Sequence, residues 1–108
     1  MKKLLDPLTD LGRFSEPALL ILISLADSPK HGYAMTQDIE EVSGQRLGPG
    51  TLYGAIARLE ARKWIEPLPA EDRRRPYRLT GAGQKVLRAR LDSLRAVAKI
   101  GHARLVEN

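Results

Sequence analysis

Gly48-Pro49-Gly50-Thr51-Leu52-Tyr53-Gly54-Ala55-Ile56-Ala57-Arg58-Leu59-Glu60-Ala61-Arg62-Lys63-Trp64-Ile65-Glu66 reads as a helix with one apolar row for a core and a nearly bare row facing outward. Leu52, Ile56 and Leu59 recur at i, i+4 and i+7, the stripe an amphipathic helix buries. The opposite side carries Gly50, Gly54, Ala57 and Ala61, flanked by Thr51 and Arg58 on one shoulder and Tyr53 on the other. A solvated helix would place Lys and Glu there, because each Gly costs about 1 kcal/mol relative to Ala. A smooth face with a few polar arms suits a DNA groove, where Ala and Thr methyls meet thymine methyls and Arg forks onto guanine. The alternative is a face that packs against another helix.

Working outward, Ser15 is expected to cap a helix whose first turn tolerates Pro17, and Ala18 to Ile23 is apolar on all sides, as in a helix central to a core. Asp27-Ser28-Pro29-Lys30 reads as a turn. His31-Gly32-Tyr33 opens a second helix with Met35, Ile39 and Val42 inward and Gln37, Asp38, Glu40 and Glu41 outward, closed by Gly44 as a left-handed cap. Gly48 and Pro49 start the third helix, so the product is helix, turn, helix. Trp64 to Leu68 and Pro76 to Leu79 read as two short strands with Ala70 to Arg74 at the tip. Pro67, Pro69 and Pro76 confine both to edges. Thr80 is placed to cap a last helix from about Gly81 towards Val106.

Several pieces of this chain resemble the PadR family of winged helix-turn-helix transcriptional regulators. They are Gly50-Thr51-Leu52-Tyr53 with Arg58-Leu59-Glu60, His31-Gly32-Tyr33, and Arg73-Arg74-Arg75-Pro76-Tyr77-Arg78-Leu79-Thr80-Gly81-Ala82-Gly83. Their order and spacing carry the match over roughly residues 17 to 95. Two positions depart from the family pattern: Gly54 stands where proline is usual, and Lys63 where a glycine usually ends the helix. Lys63 either extends the helix or adopts a left-handed conformation at a cost of roughly 1 kcal/mol.

Composition sets the remaining bounds. With 108 residues, 43% of them hydrophobic, one domain with a modest core is expected, and a partner subunit would add burial. The net charge of +5 favours an anionic partner, nucleic acid before membrane surface. The absence of Cys removes thiolate chemistry and disulfides. The longest apolar run, Ala18 to Ala26, is too short to span a bilayer, and Asp6, Pro7 and Asp10 interrupt what would be a signal peptide core. A cytoplasmic protein is expected. His31 and His102 lack carboxylates at ligand spacing, so neither a metal site nor a cofactor is expected, and no nucleophile or base suggests an enzyme.

The expected fold is α+β and mostly helical, divided into an N-terminal segment (1–15) that either packs on the dimer or is a frayed tail, a winged helix-turn-helix (16–80) and a C-terminal dimerisation helix (81–108). The candidate DNA-binding residues are His31, Tyr33, Gly50, Thr51, Tyr53, Gly54, Arg58, Arg73, Arg74 and Arg75. Thr51, Tyr53 and Arg58 are able to reach bases or phosphates, while the three arginines bridge flanking phosphates or enter a minor groove. Each has a plainer reading: helix start for His31, edge packing for Tyr33 and Tyr53, capping for Thr51, an ion pair for Arg58, a solvated tip for the arginines. Leu87, Leu91, Leu94, Ala98, Gly101 and Leu105 fall in heptad rhythm, a seam for a second copy of the chain, the alternative being a seam that folds back onto its own domain. The resemblance implies a homodimeric repressor occluding promoters at a palindromic double-stranded operator, with a small-molecule effector as a further partner. The rival is a winged helix used for protein interaction without specific DNA binding.

Overall fold

The computed structural model describes residues 16–107. Ser15 and the N-terminal segment expected on the dimer lie outside them. Four helices and one hairpin follow in chain order: α1 (Pro17–Asp27), α2 (Gly32–Ser43), α3 (Pro49–Ala61), β1 (Ile65–Pro67), β2 (Tyr77–Leu79) and α4 (Gly81–Glu107). β1 and β2 pair antiparallel, with Ile65 opposite Leu79 and Pro67 opposite Tyr77. Each strand is shorter than the sequence suggests, since Trp64, Leu68 and Pro76 fall outside the ladder, although the Leu68 amide still donates to the Pro76 carbonyl at 2.8 Å.

α1 is the central helix. Pro17 occupies its first turn, where a missing N–H costs nothing, and the cap position falls to Glu16, whose side chain makes no capping bond. Leu20, Ile21, Leu22 and Leu25 are buried, and α2, α3, β2 and α4 all pack against this helix. Met35 and Ile39 from α2, Leu52, Ala55, Ile56 and Leu59 from α3, and Ile65 from β1 complete the core. Val42 does not join them and is 41% exposed. It stands in line with Met35 but one turn beyond Ile39, where the core ends. Leu47, in the connection between α2 and α3, is buried and closes the core from below.

The segment read only as a turn does more. Lys30 exchanges both backbone hydrogen bonds with Tyr77, at 3.2 and 3.1 Å, which joins the start of α2 to the wing. Its ammonium is tucked under the end of α1, donating to the Ser24 carbonyl at 2.6 Å and the Ser28 carbonyl at 3.2 Å. Asp27 and Asp38 lie at 3.5 and 3.9 Å from it.

The end of α3 decides how the wing leaves the helix-turn-helix. Lys63 adopts the left-handed conformation (φ 62°). The Trp64 amide donates to the Leu59 carbonyl at 3.1 Å and the Lys63 amide to Glu60 at 2.9 Å, the pair of bonds that defines a Schellman ending. Arg62 lies over the Trp64 ring, 5.2 Å from its centroid. Thr80 fastens this turn to α4: its hydroxyl donates to the Lys63 carbonyl at 2.7 Å and accepts from the Gly83 amide at 3.0 Å. A side chain at Gly83 would collide with the Trp64 carbonyl, so only glycine lets α4 start this close to the wing.

α4 belongs to two environments. Leu87, expected at the head of the dimer seam, is instead 5% exposed in the core of its own chain. The heptad rhythm cannot tell the two uses apart, because an own-domain stripe and a partner seam share their spacing over one or two turns. From Arg88 to Val106 every residue of α4 is exposed.

Candidate nucleic-acid interface

α3 turns its apolar row into the core and leaves Gly50, Thr51, Tyr53, Ala57, Arg58 and Ala61 exposed. Gly54 is half-buried because Arg58 lies over it, one guanidinium nitrogen being 3.7 Å from where a Gly54 side chain would begin. The bare surface therefore has a use within the chain: it lets the arginine lie along the helix. Tyr53 is 54% exposed, yet its hydroxyl end rests on Gly32 at the start of α2. A side chain at Gly32 would meet the Tyr53 hydroxyl, so glycine there leaves room for the tyrosine to rest on α2.

His31 is the N-cap of α2, with Nδ1 accepting from the Ala34 amide at 3.4 Å. A neutral imidazole that accepts at Nδ1 carries its proton on Nε2. That Nε2 lies 3.3 Å from Nη1 of Arg74. With the ring in the tautomer that caps α2, two donors face each other at hydrogen-bond distance, an arrangement an anion oxygen would satisfy; in the other tautomer Arg74 donates to Nε2.

The wing arginines do not act as one group. Asp72 and Arg73 both have positive φ, 48° and 68°, and the Glu71 and Arg74 backbones exchange two bonds of 2.7 Å around them, as in a type I′ hairpin turn. Arg73 thereby occupies the tip, Arg74 reaches to His31, and Arg75 ties back across the hairpin to the Leu68 carbonyl at 3.2 Å. Arg78 is paired with Glu66 on the paired strands. A cleft of about 410 Å³ opens between the wing and the two helices, lined by His31, Tyr33, Tyr53 and Arg73 to Arg75, with Tyr77 at its floor. Burial, then the Glu60 carboxylate, pushes the Tyr77 phenol above its ordinary value, so it adds no negative charge there at neutral pH.

Eight of the ten candidate DNA-binding residues are exposed, while His31 and Gly54 are half-buried, Gly54 beneath Arg58. Tyr33, 62% exposed, accepts a hydrogen bond from Gln37 at 3.3 Å and stands apart from the core. Sequence reading passed over Arg46. It lies in the turn before α3, lines the groove between Tyr33 and Tyr53, and pairs with Glu40 at 3.2 Å. Its signal was a lone arginine between Gly44 and Gly48, in the turn of the helix-turn-helix. Among the described residues, no cluster of three His, Cys, Asp or Glu side chains is placed to hold a metal, and no helix is long and apolar enough to cross a membrane.

Helix, turn, helix and a two-stranded wing beside an exposed arginine-bearing helix define a winged helix-turn-helix protein. Residues 21–89 match the model of the transcriptional regulator PadR-like family, and the chain belongs to that family. Regulators of this family are DNA-binding proteins rather than enzymes. The chain is 50% identical over 82 residues to a 37.1 kDa protein in transposon TN4556 of Streptomyces fradiae, covering 76% of this chain and 24% of that one. It is 42% identical over 72 residues to a transcriptional regulator of Mycobacterium tuberculosis, covering 64% of this chain and 66% of that one. A PadR family transcription regulator from Clostridium difficile superposes with a TM-score of 0.75 at 25% identity, covering 84% of this chain and 99% of that structure.

Proposed function

We propose that this chain is a cytoplasmic, sequence-specific DNA-binding regulator that works as a homodimer and represses by occluding promoters. The observation that carries the reading is the convergence of exposed donors around α3: Thr51, Tyr53 and Arg58 on the helix, His31 and Arg74 facing each other beside it, and Arg73 at the wing tip. α3 enters the major groove, with Arg58 and Thr51 at base edges. Its neighbours take phosphates: His31 with Arg74 holds one phosphate oxygen between their donors, Arg46 exchanges its exposed Glu40 partner for another, and Arg73 reaches the flanking backbone. Surface ion pairs of the Arg46 kind are worth ~1 kcal/mol or less, so such an exchange costs little.

The dimer rests on the exposed half of α4. Leu91 and Leu94 are 41% and 42% exposed and Leu105 is 73% exposed, with Ala98 and Gly101 between them in heptad rhythm. One wing domain reads too few base pairs to be specific, whereas two recognition helices about 34 Å apart match successive major-groove faces of a palindromic operator. On this division, 16–80 reads DNA, 81–108 pairs the subunits and 1–15 packs on the dimer. A small-molecule effector would act by changing the spacing of the two helices.

Titration against mixed genomic DNA while salt is raised tests the reading, followed by selection of bound fragments. The expected result is binding whose logarithm falls linearly with the logarithm of salt, and an enriched inverted repeat. Absence of DNA binding at low salt would instead favour a winged helix that docks protein partners.

A further inference from the structure

The arginines around α3 differ in what holds them. Arg46 pairs with Glu40, Arg75 donates to the Leu68 carbonyl and Arg78 pairs with Glu66. Arg58 has no carboxylate or carbonyl partner among the described residues, yet its guanidinium has a definite place, folded back over Gly54. Helix side chains lean toward the N-terminus, so residue i meets residue i−4 on the same face. At position 54 there is no side chain to meet, and the guanidinium takes that space.

This pose decides how far along α3 the donors sit. Thr51, Gly54 and Arg58 share one face, separated by steps of three and four residues. A guanidinium level with Gly54 lies about 4.5 Å along the axis from Thr51, whereas one standing straight out from Arg58 lies about 10.5 Å from it. The shift of about 6 Å exceeds the rise between successive base pairs, about 3.4 Å. A recognition helix meets base edges with its N-terminal residues, and the folded pose carries the arginine toward that end. Glycine weakens an exposed helix relative to alanine, so its presence here calls for a use. Among the described residues, the Arg58 guanidinium is the only group outside the helix backbone that a side chain at 54 would meet within 4 Å, whereas one at Gly50 would meet nothing.

We propose that Gly54 selects the base pair that Arg58 reads. It is a positioning residue: the space above its Cα holds the guanidinium toward Thr51, and a longer side chain there lifts the arginine toward the C-terminal end of α3 and off that base. The inference rests on the reading that Arg58 lies at a base edge in the major groove. Alanine at 54 leaves the pose in place, because its contact with Arg58 at 3.7 Å is ordinary packing. Leucine fills the space.

The test selects bound sequences from a pool of random duplexes with variants of the 108-residue chain. Arg58→Ala should lose about tenfold in discrimination at one position of the parent's site. Gly54→Leu should lose discrimination at that same position by a similar factor, while Gly54→Ala keeps it. Gly54→Leu added to Arg58→Ala should relax nothing further. Alanine and leucine both favour helix over glycine, so the urea midpoints of the two changes at 54 should equal or exceed the parent's. Full discrimination at the Arg58 position with Gly54→Leu would overturn the proposal. So would an equal loss with Gly54→Ala, which would trace the effect to helix stiffness, or a further loss in the double variant, which would place the leucine itself against DNA. If Arg58→Ala selects the parent's site unchanged, the reading of Arg58 at a base edge fails, and the role of Gly54 falls with it.

Discussion

The two ends of this chain handle their leucines in opposite ways. Between Leu20 and Leu87, the apolar stripes of α1, α2, α3 and the wing close on one another, and Leu52, Leu59 and Ile65 are 2% exposed or less. Beyond Arg88, α4 runs on with Leu94, Val97, Ile100 and Leu105 all at least 42% exposed. The composition of the two ends is similar; the partner differs. An apolar side chain in the first region stabilises the monomer, whereas one in the second has no such partner among the described residues.

The sharpest break of this comparison is a pair of substitutions. Leu59→Ala removes a side chain that is 2% exposed and should cost about 2–5 kcal/mol, read as a fall in the urea midpoint at every protein concentration. Leu94→Asp should leave the isolated domain folded, yet sedimentation at micromolar concentration should show monomer and operator binding should be lost. A dimer that persists with Leu94→Asp would remove this seam from the interface. A Leu94→Asp chain that unfolds would show that the far half of α4 belongs to the core.

Much of the first region was legible because its signals are local. Pro17 and Pro49 mark helix starts, Gly44 marks an end, and the spacing of Leu52, Ile56 and Leu59 sets one face of α3 inward, as the structure shows. What escaped depends on contacts far apart in sequence. The bridge from Lys30 to Tyr77 joins residues 47 apart, and no local pattern announces it. Leu87 and Leu94 are equivalent in the heptad rhythm, and only the depth of the core along α4 separates them. The arginine run was legible as a charge, but the divergence of Arg73, Arg74 and Arg75 follows from the tight turn at Asp72 and Arg73.

The same contrast applies within the proposed DNA surface. Arg58→Ala should cost about 1–3 kcal/mol on the best operator and relax preference at one position, the mark of a side chain that reads a base. Changing Arg73, Arg74 and Arg75 together to Ala should weaken all sequences alike and flatten the salt slope by about 0.9 for each phosphate no longer neutralised. Since Arg75 is tied to the Leu68 carbonyl, Arg73→Ala and Arg74→Ala should together account for most of the flattening. An Arg58→Ala protein with unchanged site preference would move that side chain from base edge to backbone. His31→Ala sharpens the point further: it should lower affinity only where Arg74 is present, because the two donors share one oxygen, and the double-mutant cycle with Arg74→Ala measures that coupling.

The smallest expected effect lies at the joint between α3 and the wing. Lys63 stands in the left-handed region, where a side chain costs roughly 1–2 kcal/mol that glycine does not incur. Its side chain is exposed, and the bonds that fix the turn come from its backbone and from Thr80, so a substitution there leaves them in place. Lys63→Gly should therefore raise stability by about 1 kcal/mol or somewhat less, since glycine also gains freedom in the unfolded chain. Lys63→Asn should give a smaller gain, and Lys63→Val should be destabilising, because a branched side chain tolerates positive φ least. The urea midpoint should follow that order at constant slope. If Lys63→Gly lowered the midpoint, the turn would be held by something other than its backbone geometry. If it raised the midpoint and also weakened operator binding, the lysine would be a phosphate contact as well as a strained cap, and the joint would belong to the DNA surface.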